Sequence, residues 1–238
     1  MATLILPPRL RRFTEGWRIA NAARGGGASL TGEQQFVVSP AGRWEAKLSL
    51  HCLDDDDYLE ADGFLAGLDG PANGIVCGPE DWRGRPWNID PLTGGKITPD
   101  FAARDIAADP AFDTNPDTTG TLRFSLAAAA TMNATALSIR RDKGGHLKRG
   151  QYLSIGQRLH IITALTSDSP ADPDSGLAIA GTIGVSIRPW LRQDYTAGTT
   201  IEFARPVGLM RLTPDSAAMV ERTTSPLSDL SLDLVEYL

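Results

Sequence analysis

The stretch "RWEAKLSLHC" alternates apolar and polar residues over its whole length, and this places the strongest constraint on the fold. One face carries Trp44, Ala46, Leu48, Leu50 and Cys52, and the other carries Arg43, Glu45, Lys47, Ser49 and His51. Because successive side chains of a strand point to opposite faces, the pattern predicts a β-strand with one buried and one polar face. The chain is therefore expected to build a sheet that is covered on one side only.

Two further segments are predicted to join this sheet. The segment "EQQFVVS" at residues 33–39 has the composition of a strand, and "PAG" after it is a tight connection, so we expect the two strands to be neighbours. Near the end of the sequence, "SDLSLDLVEYL" places Leu230, Leu232 and Leu234 on one face. Its best-matched partner is the strand that contains Trp44, which would make the β segments between them an insertion into the first domain.

One amphipathic helix is predicted after the alternating strand. Four apolar residues recur at helical spacing: Tyr58, Ala61, Leu65 and Leu68. They predict a helix from about Asp55 to Leu68 that packs on the sheet and is ended by "GP" at residues 70–71. The acidic run at residues 54–57 has two interpretations. The simpler one is that it caps the helix and places negative charge at its positive end, and the other is divalent-metal binding.

Strand patterns return after residue 120. They are "TLRFSL", "ATALSIR", "QYLSIG", "RLHIITAL", "AIAGTIGVSIRP", "TIEFA" and "LMRL". Gly, Asp and Pro turns separate them at short intervals, which predicts a small barrel or sandwich. Before them, residues 82–99 are predicted to cross between domains without regular structure, and residues 100–120 to form an exposed acidic loop. The predicted fold is mainly β: a β-sandwich with one packed helix, plus an inserted small β-barrel or β-sandwich domain.

Charge and cysteine usage limit the possible partners. The chain has 238 residues and a formal net charge of -6, which disfavours binding of nucleic acid through its phosphates. A short basic cluster, Arg9, Arg11 and Arg12, is interpreted as a local patch at a protein interface. Cys52 and Cys77 lack the spacing of zinc ligands and are interpreted as buried thiols. The opening apolar run is too short for a signal peptide and no run reaches the ~18 residues of a membrane helix, so folding in the cytoplasm is expected.

No residue pattern points to a reactive centre. His51, His146 and His160 lack the spacing of a metal pair and are interpreted as surface or core histidines. The segment "DTNPDTTG" lacks the glycine and glutamate of a calcium loop, and "SDSPADPDSG" gives the same result. The segments "RGGGASLTG" and "GGKIT" lack the pattern of a phosphate loop. No catalytic, cofactor-binding or metal-binding residue is therefore predicted, although two acidic residues that meet in space for glycoside hydrolysis stay possible.

Several segments carry a family resemblance when taken in order. After "RWEAKLSL" and the helix ending in "FLAGLDGPAN" come "GQYLSIGQRLHIIT", "VSIRPWLR", "AGTTIEFARPVGLMRL" and "LSLDLVEYL". Together they resemble the distal tail proteins at the tail tip of long-tailed bacteriophages and prophages. The resemblance covers about residues 35–95 and 135–238, and the acidic region at residues 100–120 has no clear counterpart in it.

The resemblance implies a structural protein and not an enzyme. Such proteins form a ring, usually a hexamer, that joins the tail tube to the tip and lets DNA pass without specific binding. Residues 1–95 and 205–238 would form the tail-tube-like ring domain, and residues 96–204 the inserted outer β domain. The implied partners are further copies of the chain, the tail tube protein, the tail hub and other tail-tip proteins. No cofactor or membrane insertion is implied, and the protein would reside in the virion after assembly in the host cytoplasm.

Two other functions compete with this one. The first is a carbohydrate-binding β module that recognises a host surface glycan by stacking Trp82, Trp87 or Trp190 on sugar. The second is a cell-wall hydrolase with a pair of acidic residues that the sequence does not identify. For the ring protein we expect the polar side chains Arg43, Glu45 and Lys47 to face solvent or a lumen, and Trp44 and Leu48 to be buried.

Overall fold

The computed structural model describes residues 2–20, 24–25, 36–37, 42–80, 88–89, 96–97, 122–168, 181–213 and 228–238. In chain order its elements are β1 (Thr3–Ile5), β2 (Arg11–Ala20), β3 (Arg24–Gly25), β4 (Phe36–Val37), β5 (Arg43–Cys52), α1 (Asp55–Leu68), β6 (Gly74–Cys77), β7 (Asn88–Ile89), β8 (Lys96–Ile97), β9 (Arg123–Leu126), β10 (Ala136–Lys143), β11 (Tyr152–Ile155), β12 (Arg158–Ser167), β13 (Gly181–Arg188), β14 (Thr200–Ile201), β15 (Gly208–Leu212) and β16 (Ser228–Glu236). Strands make up 53% of the described residues, which confirms the predicted mainly-β fold.

The first sheet has the strand order β1-β6-β15-β16-β5-β2. Its pairs are antiparallel except for β1 and β6, which run parallel. The last strand lies beside the alternating strand β5, with Leu230 opposite Leu50 and Leu232 opposite Leu48. The predicted pairing of these two distant segments is confirmed. Their leucines share one face and supply the centre of the core.

The neighbour predicted for β5 on its other side is wrong. That edge of β5 is occupied by β2, which pairs with it from Arg43 to His51. The short strand β4, from the segment "EQQFVVS", pairs instead with β3. Because a strand has only two edges and β16 takes the second, β5 has no place for β4. The sequence did not reveal β2, since its register shifts between Arg12 and Thr14 and the shift breaks the alternation.

The helix α1 begins and ends where the apolar spacing predicts. Asp54 is its N-cap and accepts a hydrogen bond from the Asp57 backbone N–H at 2.8 Å, which confirms the capping interpretation. At the other end Asp69 adopts the left-handed conformation, with φ of 49°, and Gly70 follows with φ of 64°. The buried side chains of α1 are Asp57, Ala61, Phe64 and Leu68, while Tyr58 and Leu65 flank them half-buried.

The second sheet closes into a barrel. Its strand order is β11-β12-β13-β10-β9-β14, which uses every predicted segment from "TLRFSL" to "TIEFA". The two ends meet where Ser154 and Glu202 exchange backbone hydrogen bonds, both at 2.9 Å. The predicted choice between barrel and sandwich is therefore resolved as a six-stranded barrel. Side chains fill its interior, chiefly Phe124, Leu126, Leu137, Ile139, Leu153, Ile155, Ile162, Ile183, Val185, Ile187, Ile201 and Phe203.

The chain leaves the first sheet after β6, builds the barrel and returns to the first sheet at β15. The two units are in contact, because Leu159 of the barrel strand β12 is buried in the core of the first sheet. The predicted domain limits stay predictions, since residues 90–95 and 98–121 lie outside the described part of the chain. The predicted acidic loop at residues 100–120 and most of the predicted crossing at residues 82–99 lie outside it as well.

Candidate functional site

The polar face of β5 is an exposed feature that the sequence predicted. Arg43 and Lys47 are exposed and Glu45 is half-buried, whereas Trp44 and Leu48 are buried at 2% and 0% exposure. The predicted assignment of the two faces of β5 is confirmed.

Charges of opposite sign lie side by side across this face. Glu45 pairs with Arg18 of β2, with the Nη2 atom of Arg18 2.6 Å from Oε2 of Glu45. Lys47 lies between Gly16 of β2 and Asp233 of β16. Charges of both signs therefore lie on this face of β5, and neither sign dominates it.

A trough of about 600 Å³ runs over β5 between its two neighbours. It is lined by Gly16, Trp17, Arg18, Glu45, Ala46, Lys47, Thr213, Asp233 and Leu234. Gly16 leaves it open, because a Cβ atom added there would meet nothing within 4 Å. The trough is partly open to solvent, and Trp17, Ala46 and Leu234 give its lining an apolar part beside the charged side chains.

In the described part of the chain, no strand lies along the outer edge of β2. Among the described residues β2 pairs with β5 alone, and its ten residues make it a long edge. The register shift places Phe13 outward at 64% exposure, with its ring centroid 4.4 Å from that of His51. An exposed edge of this length offers unpaired backbone groups, and the exposed ring adds apolar area beside them.

The two outermost strands of the first sheet run in the same direction. From β6 to β2 the sheet takes four antiparallel steps, and β1 runs parallel to β6. A rotation about an axis along the strands keeps that direction. It would therefore bring the β2 edge of one copy beside the β1 edge of the next in parallel.

The acidic run before α1 is occupied by an arginine of the same chain. Arg9 lies 3.3 Å from Asp54, 3.4 Å from Asp56 and 3.3 Å from Asp57. These contacts, led by the hydrogen bond with Asp57, raise the pKa of Arg9 above its ordinary value. The guanidinium thus takes the place that a cation would need. Across the described ranges, no group of three or more His, Cys, Asp or Glu side chains is placed to hold a metal ion.

The basic cluster is not a single exposed patch. The side chain of Arg12 is only 9% exposed and lies 3.1 Å from Glu15 and 3.4 Å from Glu80. It also donates a hydrogen bond to the backbone oxygen of Gly78. The interpretation of Arg12 as part of an exposed interface patch is therefore wrong, because Arg12 is nearly buried and its charge is satisfied by Glu15 and Glu80.

His146, His160 and the two cysteines are buried or hydrogen-bonded within the fold. Burial lowers the pKa of His160 to about 4, and its Nδ1 atom lies 2.9 Å from the Pro189 oxygen. His146 Nδ1 lies 2.8 Å from Asp168, next to the buried Arg141. The thiols of Cys52 and Cys77 are free and buried, as the sequence predicts, and burial raises the pKa of Cys77 to about 12. None of these arrangements presents an activated nucleophile.

One polar cluster between the two units was not predicted. Glu236 is buried at 4% side-chain exposure and accepts hydrogen bonds from Arg192 at 2.8 and 3.0 Å and from the Trp44 backbone at 3.1 Å. Arg158 lies 3.9 Å from the same carboxylate. The only signal in the sequence is that Glu236 continues the alternation of Leu230, Leu232 and Leu234, which puts a charge on the buried face.

Comparison with known proteins gives no identification: no protein family model matches the chain, and no curated protein matches it. The resemblance to distal tail proteins therefore stays a prediction from the residues. Trp82 and Trp87, two of the three candidate sugar-stacking residues, lie outside the described residues, and Trp190 is half-buried after β13. Among the described residues, no helix has the length and apolar character that crossing a membrane requires.

Proposed function

We propose that the protein is a structural ring subunit of a bacteriophage tail tip, which joins the tail tube to the tip and lets DNA pass. The observation that carries the proposal is the first sheet. On β2, β5 and β16 it has one buried face and one face that carries charges of both signs, and its two outer strands run in the same direction. On β15, β6 and β1 the same face carries Leu209, Val76 and Ile5. Copies related by rotation can extend such a sheet around an axis, with the polar faces turned to one side.

The other features are consistent with this role. The barrel has a filled interior and hangs on the first sheet as a compact unit, which suits an outer domain of a ring subunit. The clusters that look reactive in the sequence are satisfied within the chain, as for the acidic run with Arg9. The proposal includes no enzymatic activity, cofactor or membrane insertion. Its partners are further copies, the tail tube protein, and the hub and other tip proteins.

The first test is the mass of the purified protein in solution by light scattering coupled to size exclusion, with electron micrographs of the same peak. A hexameric ring would have a mass of about 153 kDa, six times the 25.5 kDa of one chain. Rings with a central hole would support the proposal. A monomer at every concentration that is retained on cell-surface polysaccharide would favour the carbohydrate-binding module instead.

A pair of variants asks whether the β2 edge makes the ring contact. Phe13→Asp replaces the exposed phenyl side chain beside the β2 edge by a charged one. We expect this substitution to shift the protein from oligomeric rings to monomers. Leu59→Asp makes the same change on α1 at a residue that is 71% exposed, and we expect rings to persist. Equal ring content in both variants would exclude the β2 edge as the contact.

A further inference from the structure

The first sheet and the barrel are connected by a small buried polar cluster, which we call the joint. Its members are Trp44 of β5, Arg158 and His160 of β12, Arg192 after β13 and Glu236 of β16. Besides the contacts of Glu236, the indole N–H of Trp44 donates to the Leu159 oxygen at 2.6 Å, so β5 is bonded directly to β12. The joint therefore holds one strand of the barrel against two strands of the first sheet.

The geometry of His160 fixes the tautomer of its neutral ring. A backbone oxygen only accepts, so the Nδ1 atom that lies 2.9 Å from the Pro189 oxygen must carry the hydrogen. The other nitrogen, Nε2, is then an acceptor, and it is buried with no hydrogen-bond partner among the described residues. The residue as a whole is 1% exposed. A second proton would have to sit on Nε2, where no acceptor and no water surface receives it.

The charges around His160 act in both directions and partly cancel. Its own strand contributes Arg158, the segment after β13 contributes Arg192, and β16 contributes Glu236; β5 contributes the uncharged Trp44. Two guanidinium groups already face one carboxylate. Burial is the main cause that lowers the pKa of His160. The hydrogen bond to Pro189 and the Glu236 carboxylate raise it, and the two arginines lower it, so the net shift is downward because of burial.

We propose that the joint is an acid-sensitive latch: when His160 takes up a proton, the barrel separates from the first sheet while each unit keeps its own strand pairing. Each unit has its own hydrogen-bonded sheet and its own apolar cluster, and the barrel is closed by the pairing of Ser154 with Glu202. Leu159 of β12 is buried in the first cluster, so opening of the joint also exposes this side chain. The joint is therefore the part that can open without unfolding the rest.

The sign of the effect follows from linkage. Exposed in the open joint, His160 has its ordinary pKa of 6.5, whereas in the closed joint the pKa is about 4. Between these values the open form binds a proton that the closed form rejects. The closed form is thus fully favoured above pH 6.5, and its ratio to the open form falls by about tenfold for each pH unit below that value until pH 4.

The test is an acid titration of protein labelled with 5-fluorotryptophan, followed by fluorine NMR. The Trp44 signal, assigned with Trp44→Phe, reports whether the joint is closed. Between about pH 7 and about pH 4 we expect it to move to the position of an exposed tryptophan. Hydrogen exchange of β10 and β13, measured at the same pH values and corrected for the intrinsic rate, should stay slow until the acid end of the range.

His160→Asn removes the titrating group and keeps the donor, because the Asn side-chain nitrogen takes the position of Nδ1. In this variant we expect the Trp44 signal to stay at its closed-joint position between about pH 7 and about pH 4. His146→Asn is the matched control, since His146 pairs with Asp168 outside the joint, and its transition should be that of the natural protein.

Three results would overturn the latch: a Trp44 signal that stays constant to about pH 4, the same transition in His160→Asn as in the natural protein, or loss of barrel protection together with the Trp44 change. If His160→Asn does not fold, the ring proton of His160 in the natural protein decides. The latch requires it to titrate together with the Trp44 change, and titration without that change rejects it.

Discussion

Gly78 is the residue at which the first sheet has the least room. A Cβ atom placed on it would lie 1.8 Å from the Pro206 oxygen and 2.9 Å from the Val207 Cα atom. Both neighbours are backbone atoms of the segment that leads into β15, so neither can rotate away. The close approach lets the chain return from the barrel directly beside β6, and a glycine is required for it.

Gly78→Ala should lower the free energy of unfolding by about 2–3 kcal/mol, because the backbone at Pro206 must move. Gly63→Ala is the control. A Cβ atom there meets nothing within 4 Å, and alanine is the better helix former, so a gain of about 0.5–1 kcal/mol is expected. Urea denaturation measures both. Equal effects of the two substitutions would contradict the steric argument.

The two cysteines should be unreactive in the native protein. Cys52 is 0% and Cys77 3% exposed, and the raised pKa of Cys77 keeps its thiol protonated far above neutral pH. With an aromatic disulfide reagent at about pH 8 we expect no rapid reaction before denaturation and two reactive thiols after it. A thiol that reacts rapidly in the native protein would show that β5 or β6 opens locally.

At the scale of the element, the sequence predicted those strands and the helix whose apolar residues recur at one constant spacing. β5 and β16 alternate without a break, α1 follows the helical spacing, and all the barrel strands lie between clear turns. β2 was missed for two physical reasons. The bulge at Phe13 shifts its phase, and Arg12 and Glu15 lie on its inner side, where their charges are satisfied by each other and by the segment at residues 78–80.

Two neighbouring acidic residues at the start of α1 allow the effect of the N-cap hydrogen bond to be distinguished from the effect of negative charge alone. Asp54 accepts from the Asp57 N–H, whereas Asp55 is an exposed residue in the first turn. Asp54→Ala should lower the free energy of unfolding by about 1 kcal/mol, and Asp55→Ala by less than about 0.5 kcal/mol. Thermal and urea unfolding of the two variants check this. If Asp55→Ala is as destabilising as Asp54→Ala, the general charge of the run and not the cap stabilises the helix.

At the scale of the whole molecule, two features depended on pairs that no local pattern contains. Closure of the barrel rests on the backbone pairing of Ser154 with Glu202, which lie far apart in the sequence. The joint rests on Glu236 meeting Arg192 and Arg158 from the barrel. A lone charge on an apolar face shows that a partner is needed, but only the folded chain shows which residues supply it. The ring remains a prediction for the same reason.

Glu236→Gln tests how strongly the joint couples the two units. The substitution keeps the shape but leaves Arg192 and Arg158 without a countercharge in a buried place, so we expect the free energy of unfolding to fall by about 3 kcal/mol. Asp233→Asn, an exposed residue on the same strand, should change it by less than about 0.5 kcal/mol.

The number of unfolding transitions in Glu236→Gln shows whether Glu236 only stabilises its own strand or also couples the first sheet to the barrel. In the natural protein the shared core at Leu159 and the Glu236 contacts make the first sheet and the barrel unfold together, so calorimetry should show one transition. In Glu236→Gln the two cores, each of which has its own strand pairing, should separate into two transitions, with the first sheet melting earlier because it also loses Leu159. A single transition at lower temperature would mean that Glu236 stabilises β16 alone and that the two units are coupled through their apolar contact.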